Sequence, residues 1–328
     1  MQERIQAAQE RANAAIARGV GRSMGIGVGF GDDDVADNDP CEFKIVVLQA
    51  LVESDPQRGI AVANDWLKPG STQTPTCRRA ALRVLGRHGG KAALPTILNI
   101  AKTETDLKIK TTAISLLGAS NDETVVNELR DFAINSAQPE VGEAALSALS
   151  QHNSQQALNA LADIALSTRP VALRKNAIRV ISGRPGEPAV DALFKIYDSS
   201  QELEIRKSVV SGFGNRKSER AGTKLQEIAR SDNLELKKGA ISAIARRGGE
   251  TAADTLMNLY DSEKNEEMKD HILNALSNSR DKKVTLKLIE IAKNPQTPIE
   301  RRRRAIMLLS SRSKDPDVIN FLEGLLKQ

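Results

Sequence analysis

Aromatic residues make up only 3% of this 328-residue chain, and one Trp, two Tyr and six Phe cannot fill a core of that size. The interior must come mainly from Ala, Val, Leu and Ile within a 40% apolar fraction. The same shortage counts against single-stranded nucleic acid, whose bases stack on aromatic rings. Two cysteines, Cys41 and Cys77, build no disulfide framework and no metal site of their own. No apolar run reaches the length of a membrane-spanning helix. The residues after Met1 are polar and charged, with no apolar signal core. On that reading the chain is cytoplasmic, or exported if a leader has been removed from it. Charge of one sign is also lacking: 47 basic and 42 acidic residues leave +5, which permits an acidic partner without requiring one.

What the chain does have is a period. From Glu42 onward a central aliphatic residue recurs as Leu48, Leu82, Ile114, Leu146, Ile178, Val210, Ile241, Leu273 and Ile306, at steps of 31 to 34 residues. A second anchor recurs in step as Ile97, Leu129, Leu161, Leu193, Leu225, Leu256, Leu288 and Leu322. Each anchor lies on a stripe of helical spacing, as with Leu173, Ala177, Ile178 and Ile181. Short connections rich in Gly, Asn, Asp, Ser and Pro suit antiparallel helix pairs, and no segment alternates with the period of a strand. A period in this range predicts an all-α solenoid, with about eight helix pairs and unmatched helices at its ends. Cys77 falls in a column filled elsewhere by Ile109, Val141, Leu173, Ile205 and Leu236, so it reads as a core residue.

Ahead of the array, residues 3–18 read as a short Ala-rich helix with Ile5, Ala8, Ala12 and Ile16 on one side. Residues 19–41 read as a flexible linker, with six glycines in its first thirteen residues and an acidic run behind them. The glycines lack the strand and βαβ setting of a dinucleotide loop. The acidic run lacks the Gly and terminal Glu of a calcium loop.

The repeat signature, seen in Glu204-Ile205-Arg206, Glu235-Leu236-Lys237, Glu267-Met268-Lys269 and the run Leu173 to Ile178, resembles the HEAT-repeat family in its short bacterial form, similar to the repeats of phycobilin-lyase-like proteins. The resemblance covers residues 42–328 and implies a right-handed α-solenoid. It departs at Gly142, where the basic residue is absent, and at Arg301, where the apolar one is.

Two sets of polar columns follow. Lys44, Arg78, Lys110, Arg174, Arg206, Lys237, Lys269 and Arg302 all sit four residues before an anchor. That is about 40° around the helix from a buried position, so the column points toward the core side, with stems over packed surface. A structural ladder is expected, and Glu42, Glu140, Glu204, Glu235, Glu267 and Glu300, two residues earlier, favour the helix N-terminus and can pair with basic residues of the same or the next repeat. The opposite face lies two before, one after and five after each anchor. It carries Arg83, Arg87, Asn176, Arg179, Asn215, Arg246, His271, Asn274 and Arg304 among small hydroxyl residues, and Glu53 is its only acid. The resemblance implies that this face is concave and binds a partner.

No catalytic motif is present, and His88, His152 and His271 are spread by the repeat. The Arg301–Arg304 run reads as a solvated cluster at a terminal repeat. The expectation is a non-catalytic scaffold, without cofactor or metal, that binds an extended or acidic protein segment. Nucleic-acid binding is the weaker alternative, and a subunit of a bilin-lyase-like enzyme a third.

Overall fold

In the computed structural model, described here for residues 41–328 except 121, 278, 313 and 328, the described residues form eighteen helices and no strand. Anchor helices alternate with second helices. The order is α1 (Cys41–Ser54), α2 (Pro56–Leu67), α3 (Pro75–His88), α4 (Gly90–Thr103), α5 (Leu107–Leu117) and α6 (Glu123–Asn135). Then come α7 (Pro139–Gln151), α8 (Gln155–Leu166), α9 (Val171–Gly183), α10 (Glu187–Ser199), α11 (Leu203–Gly214) and α12 (Glu219–Ile228). The last six are α13 (Leu234–Arg247), α14 (Gly249–Ser262), α15 (Glu266–Leu276), α16 (Lys282–Lys293), α17 (Ile299–Ser310) and α18 (Pro316–Leu326). The sequence readings for residues 3–18 and for the linker up to residue 40 lie outside the described residues.

The chain divides into two compact units, residues 1–80 and 81–328. In the first, α1 packs on α2, so the first helix, expected to lack a mate, has one. The mate is hard to see in the sequence because Ala63 stands where later repeats carry Ile or Leu, and Gly59 where they carry Ala or Val. A Cβ on Gly59 would come within 2.8 Å of Val52 Cα, so the two helices touch almost backbone to backbone. Asp55 caps α2 by accepting from the Arg58 amide, and Pro56 fits its first position.

This unit also corrects the reading of its cysteines. Cys41 and Cys77 are joined in a disulfide, their Cα atoms 5.5 Å apart. The bond lies in a buried cluster with Ile45 and Ala80, against Trp66. Cys77 is thus a core residue, as its column implied, but a bonded one. Sequence could not pair it, because only the fold of α1 and α2 brings two residues 36 positions apart together.

In the second unit the helices form two layers. Anchor helices α5, α7, α9, α11 and α13 each pack on the next, and these and α15 each pack against the second helix that precedes them. Helix starts are set by side chains that accept from the first-turn amides: Asp106, Asp122, Ser154, Asn233, Asn265 and Asp281. The anchors from Leu82 to Leu273 and from Ile97 to Leu288 are buried. At the last pair the register differs: Leu322 is only half-buried, and Val318 and Phe321 face inward instead. Small residues four after the anchor let anchor helices approach. A Cβ on Gly118 would stand 2.9 Å from Ala148 Cα on the next anchor helix, and one on Gly214 would stand 3.0 Å from Ala243 Cα.

Two measurements check this packing. Gly118→Val should destabilise the chain by about 1–3 kcal/mol in urea unfolding, the cost of overpacking. Gly183→Ala, whose Cβ would meet nothing within 4 Å, should change stability by less than about 1 kcal/mol. The oxidised protein should weigh two hydrogens less than the reduced one by intact mass, and Cys77→Ser should lower the stability of the first unit by about 2–4 kcal/mol.

Candidate functional site

Basic side chains are the commonest polar feature of the second unit, and their register decides what each one does. The column four before the anchor reaches back to the carbonyls that end the preceding second helix. Arg174 Nε donates to Ala165 O at 2.9 Å, Arg206 Nε to Ser200 O at 2.7 Å and Arg302 Nε to Ala292 O at 2.9 Å. Lys110 Nζ is 3.5 Å from Glu104 O. These carbonyls have no partner within their own helix and carry its negative end, so a cation there is favoured twice. Arg174 is buried and also grips Glu202, both Nη1 contacts being 2.8 Å. Lys237 pairs with Glu263 at 2.8 Å, with both side chains largely buried. Burial pushes the Glu263 carboxyl up, but Lys237 and the amides of Asn265 and Lys264 outweigh it and hold it below the usual range. Lys269 lies 3.7 Å from Glu266. At Gly142, which has no cation, a Cβ would lie 3.4 Å from Arg169 Nη2, so a guanidinium from the next repeat occupies the place.

A second column, six after the anchor, does the same at the other end of the anchor row. Arg184 Nη2 donates to Leu149 O at 2.9 Å, Arg216 Nη2 to Ile181 O at 2.6 Å, and Arg247 to the carbonyls of Phe213, Arg216 and Ser218. Arg312 donates to Ser279 O and Thr285 Oγ1, and His152 Nε2–H to Leu117 O at 3.3 Å. Burial lowers the affinity of all five groups for a proton, and for His152 it outweighs the bond to Leu117. The signal was in the sequence, a basic residue recurring at a constant offset, but its target carbonyl belongs to the repeat before.

The Glu column six before the anchor pairs with lysines of the neighbouring repeat, and these stand three before their anchors. Lys175, Lys207 and Lys238, three before their anchors, meet Glu204, Glu235 and Glu267 of the following repeat at 3.1, 3.3 and 2.7 Å. Lysine hydrogen bonds hold Glu204 and Glu267 below the usual carboxylate range. These pairs are exposed, so solvent screens them and they add little to stability.

Arg301 overturns the reading of its run as a solvated cluster. It is 5% exposed, with Nη1 2.6 Å from Glu266 Oε2 and Nε 2.7 Å from Asp270 Oδ1, and Nη2 donates to Glu266 O. An arginine replaces the usual apolar residue here because two acids of α15 wait for it. Arg303 pairs with Glu300 at 3.0 Å, and Arg304 is exposed.

That leaves the opposite face of the anchor helices. Arg87, Asn176, Arg179, Asn215, Arg246, Asn274 and Arg304 are exposed there, and Arg83 and His271 are half-buried. Among the described residues no ion pair or hydrogen bond engages the side chains of Arg87, Arg179 or Arg304. Arg246 Nη2 donates across to Ser211 O and Oγ at 3.2 and 3.1 Å. In the second unit these columns hold no Asp or Glu. His271 Nε2 faces Lys238 O at 3.1 Å and Ser242 Oγ at 3.2 Å. A nitrogen facing a carbonyl at that distance carries the proton, so it is not free to take one from the serine. Among the described residues no three His, Cys, Asp or Glu are grouped to hold a metal, and no helix is long and apolar enough to cross a membrane.

The geometry separates the columns by consequence. Arg174→Ala should cost about 1.5–3 kcal/mol in thermal or urea unfolding, as expected for hydrogen bonds to a charged group. Arg179→Ala should stay within about 0.5 kcal/mol of the parent. Equal effects would contradict the division.

Comparison with known proteins adds the following. Residues 94–181 and 225–310, more than half the chain, match the family model of HEAT repeats. Each matched stretch begins in a second helix and ends in an anchor helix. Among solved structures, human deoxyhypusine hydroxylase in complex with glycerol is similar at 16% identity, over 75% of this chain and 92% of that one, with a TM-score of 0.32. The complex of CpcE and CpcF of phycocyanin lyase from Nostoc is similar at 17% identity, over 76% and 92%, with a TM-score of 0.34. YibA of Escherichia coli is similar at 14% identity, over 84% and 98%, with a TM-score of 0.39. No curated protein matches the chain.

Proposed function

Since this chain belongs to the HEAT-repeat family, we propose that it is a non-catalytic scaffold that binds an acidic, extended protein segment along the acid-free face of its anchor helices. The observation that carries the reading is the contrast between engaged and unengaged cations. Arg174, Arg206 and Arg302, four before the anchors, and Arg184, Arg216, Arg247 and Arg312, six after them, are directed at backbone carbonyls. Arg87, Arg179 and Arg304 keep their donors free on a face where Ser and Asn supply further hydrogen-bonding groups. A face repeated over successive anchor helices suits a partner that runs along it.

The same contrast favours protein over nucleic acid. A duplex needs many cations at its phosphates, and each phosphate contact steepens the salt dependence. Most of the periodic cations here are occupied within the fold. The protonated His271 nitrogen beside Ser242 supports a role without acyl-transfer chemistry. The Cys41–Cys77 bond supports an oxidising compartment over the cytoplasmic setting expected from the sequence.

The test uses a fluorescent poly-glutamate peptide and anisotropy at low salt. The triple variant Arg87→Glu, Arg179→Glu, Arg304→Glu should bind at least about tenfold more weakly, a loss of roughly 1.4 kcal/mol, while circular dichroism and melting stay unchanged. Unaltered peptide binding would reject the face. Tight binding of duplex DNA with a steep salt slope would favour the nucleic-acid reading instead.

A further inference from the structure

Helix α1 has two apolar sides. Ile45, Leu48 and Val52 are buried against the first unit. Phe43, Val46 and Val47 are 69%, 56% and 49% exposed, and with Ala50 they follow the spacing of a continuous stripe on the other side. The outer face of an end repeat in a stacked array is normally polar, because nothing stacks on it. Phe43, Val46 and Val47, three large apolar side chains grouped within about one turn of α1, instead mark a contact surface.

We propose that residues 3–18 of the same chain cover this stripe as an intramolecular cap. Three features of this chain select that occupant. The first is pattern: Ile5, Ala8, Ala12 and Ile16 recur at helical spacing, and small alanines allow a close approach to Phe43 and Val47. The second is charge. Arg4, Arg11 and Arg18 recur every seven residues and flank that stripe. On α1, Glu42 and Glu53 are exposed eleven residues apart, three helical turns, so they share one side of the helix beside the stripe. The third is reach: a random coil of 22 residues, the number from Gly19 to Pro40, extends roughly 25 Å, enough to run the roughly 21 Å length of the fourteen-residue α1. The segment can therefore lie along α1, and its tether keeps it at high effective concentration there.

Hydrogen exchange on the full chain, with the Cys41–Cys77 bond intact, tests the cap. In the parent, amides of residues 3–18 should exchange at least about tenfold slower than in the variant Phe43→Ser, Val47→Ser. The amides of Ile45 and Leu48 should stay protected in both, since the substituted side chains lie on the outer face. The reciprocal variant Ile5→Ser, Ile16→Ser leaves α1 untouched. It should release the same segment and raise the fluorescence of an apolar dye. Unprotected amides at residues 3–18 in the parent, or protection that survives both variants, would overturn the proposal. So would a sedimentation mass of two chains in the parent that falls to one on Phe43→Ser, Val47→Ser, because the stripe would then hold a second copy.

Discussion

No repeat of this chain can bury its own aliphatic stripe. An anchor such as Ile178 or Val210 loses its contact with water only because helices of the preceding and following repeats lie against it. With 3% aromatics, the interior is assembled from many small and medium side chains, each held by neighbours. Stacking is therefore the condition for folding, and the remaining features either permit it or follow from it. The glycines at 118 and 214 permit it by letting neighbouring anchor helices come close. The two columns of basic residues that reach back to the preceding repeat follow from it.

Stacking short helices brings many helix ends close to packed surface, and the last carbonyls of a helix have no partner within it. The chain meets this need with arginine. Four residues before the anchor, the side chain clasps the end of a second helix; six after, it clasps the end of the previous anchor helix. Three before, lysine meets a glutamate of the following repeat at the surface. Basic residues thus have three different tasks, separated by angle around the helix and distance along it. Arginines outside these registers, on the face turned away from the second layer, keep their donors available. The candidate binding face is defined by this subtraction.

How much of this was legible varied with range. The helices, their order and the buried anchors could be read because helical periodicity is a local property. The face carrying Arg87, Arg179 and Arg304 could be located from angle alone. Other features depend on who meets whom across some 26 to 36 residues. The Glu ladder and its pairing with basic residues of a neighbouring repeat were visible, but not which basic column supplies them. Arg301 looked like part of a solvated basic run, because Glu266 and Asp270 come together with it only when α15 and α17 are placed. Helix α2 escaped notice because Gly59 and Ala63 pack by proximity rather than by bulk.

The sequence by itself determined the all-helical repeat, its period and the division of each helix into inward and outward sides, since each follows from residues a few positions apart. Only the tertiary structure decided the Cys41–Cys77 bond, the carbonyl that each arginine serves, and which cations remain unengaged. Those depend on the stacking of one repeat on the next, which brings together groups that the linear chain keeps a full repeat apart.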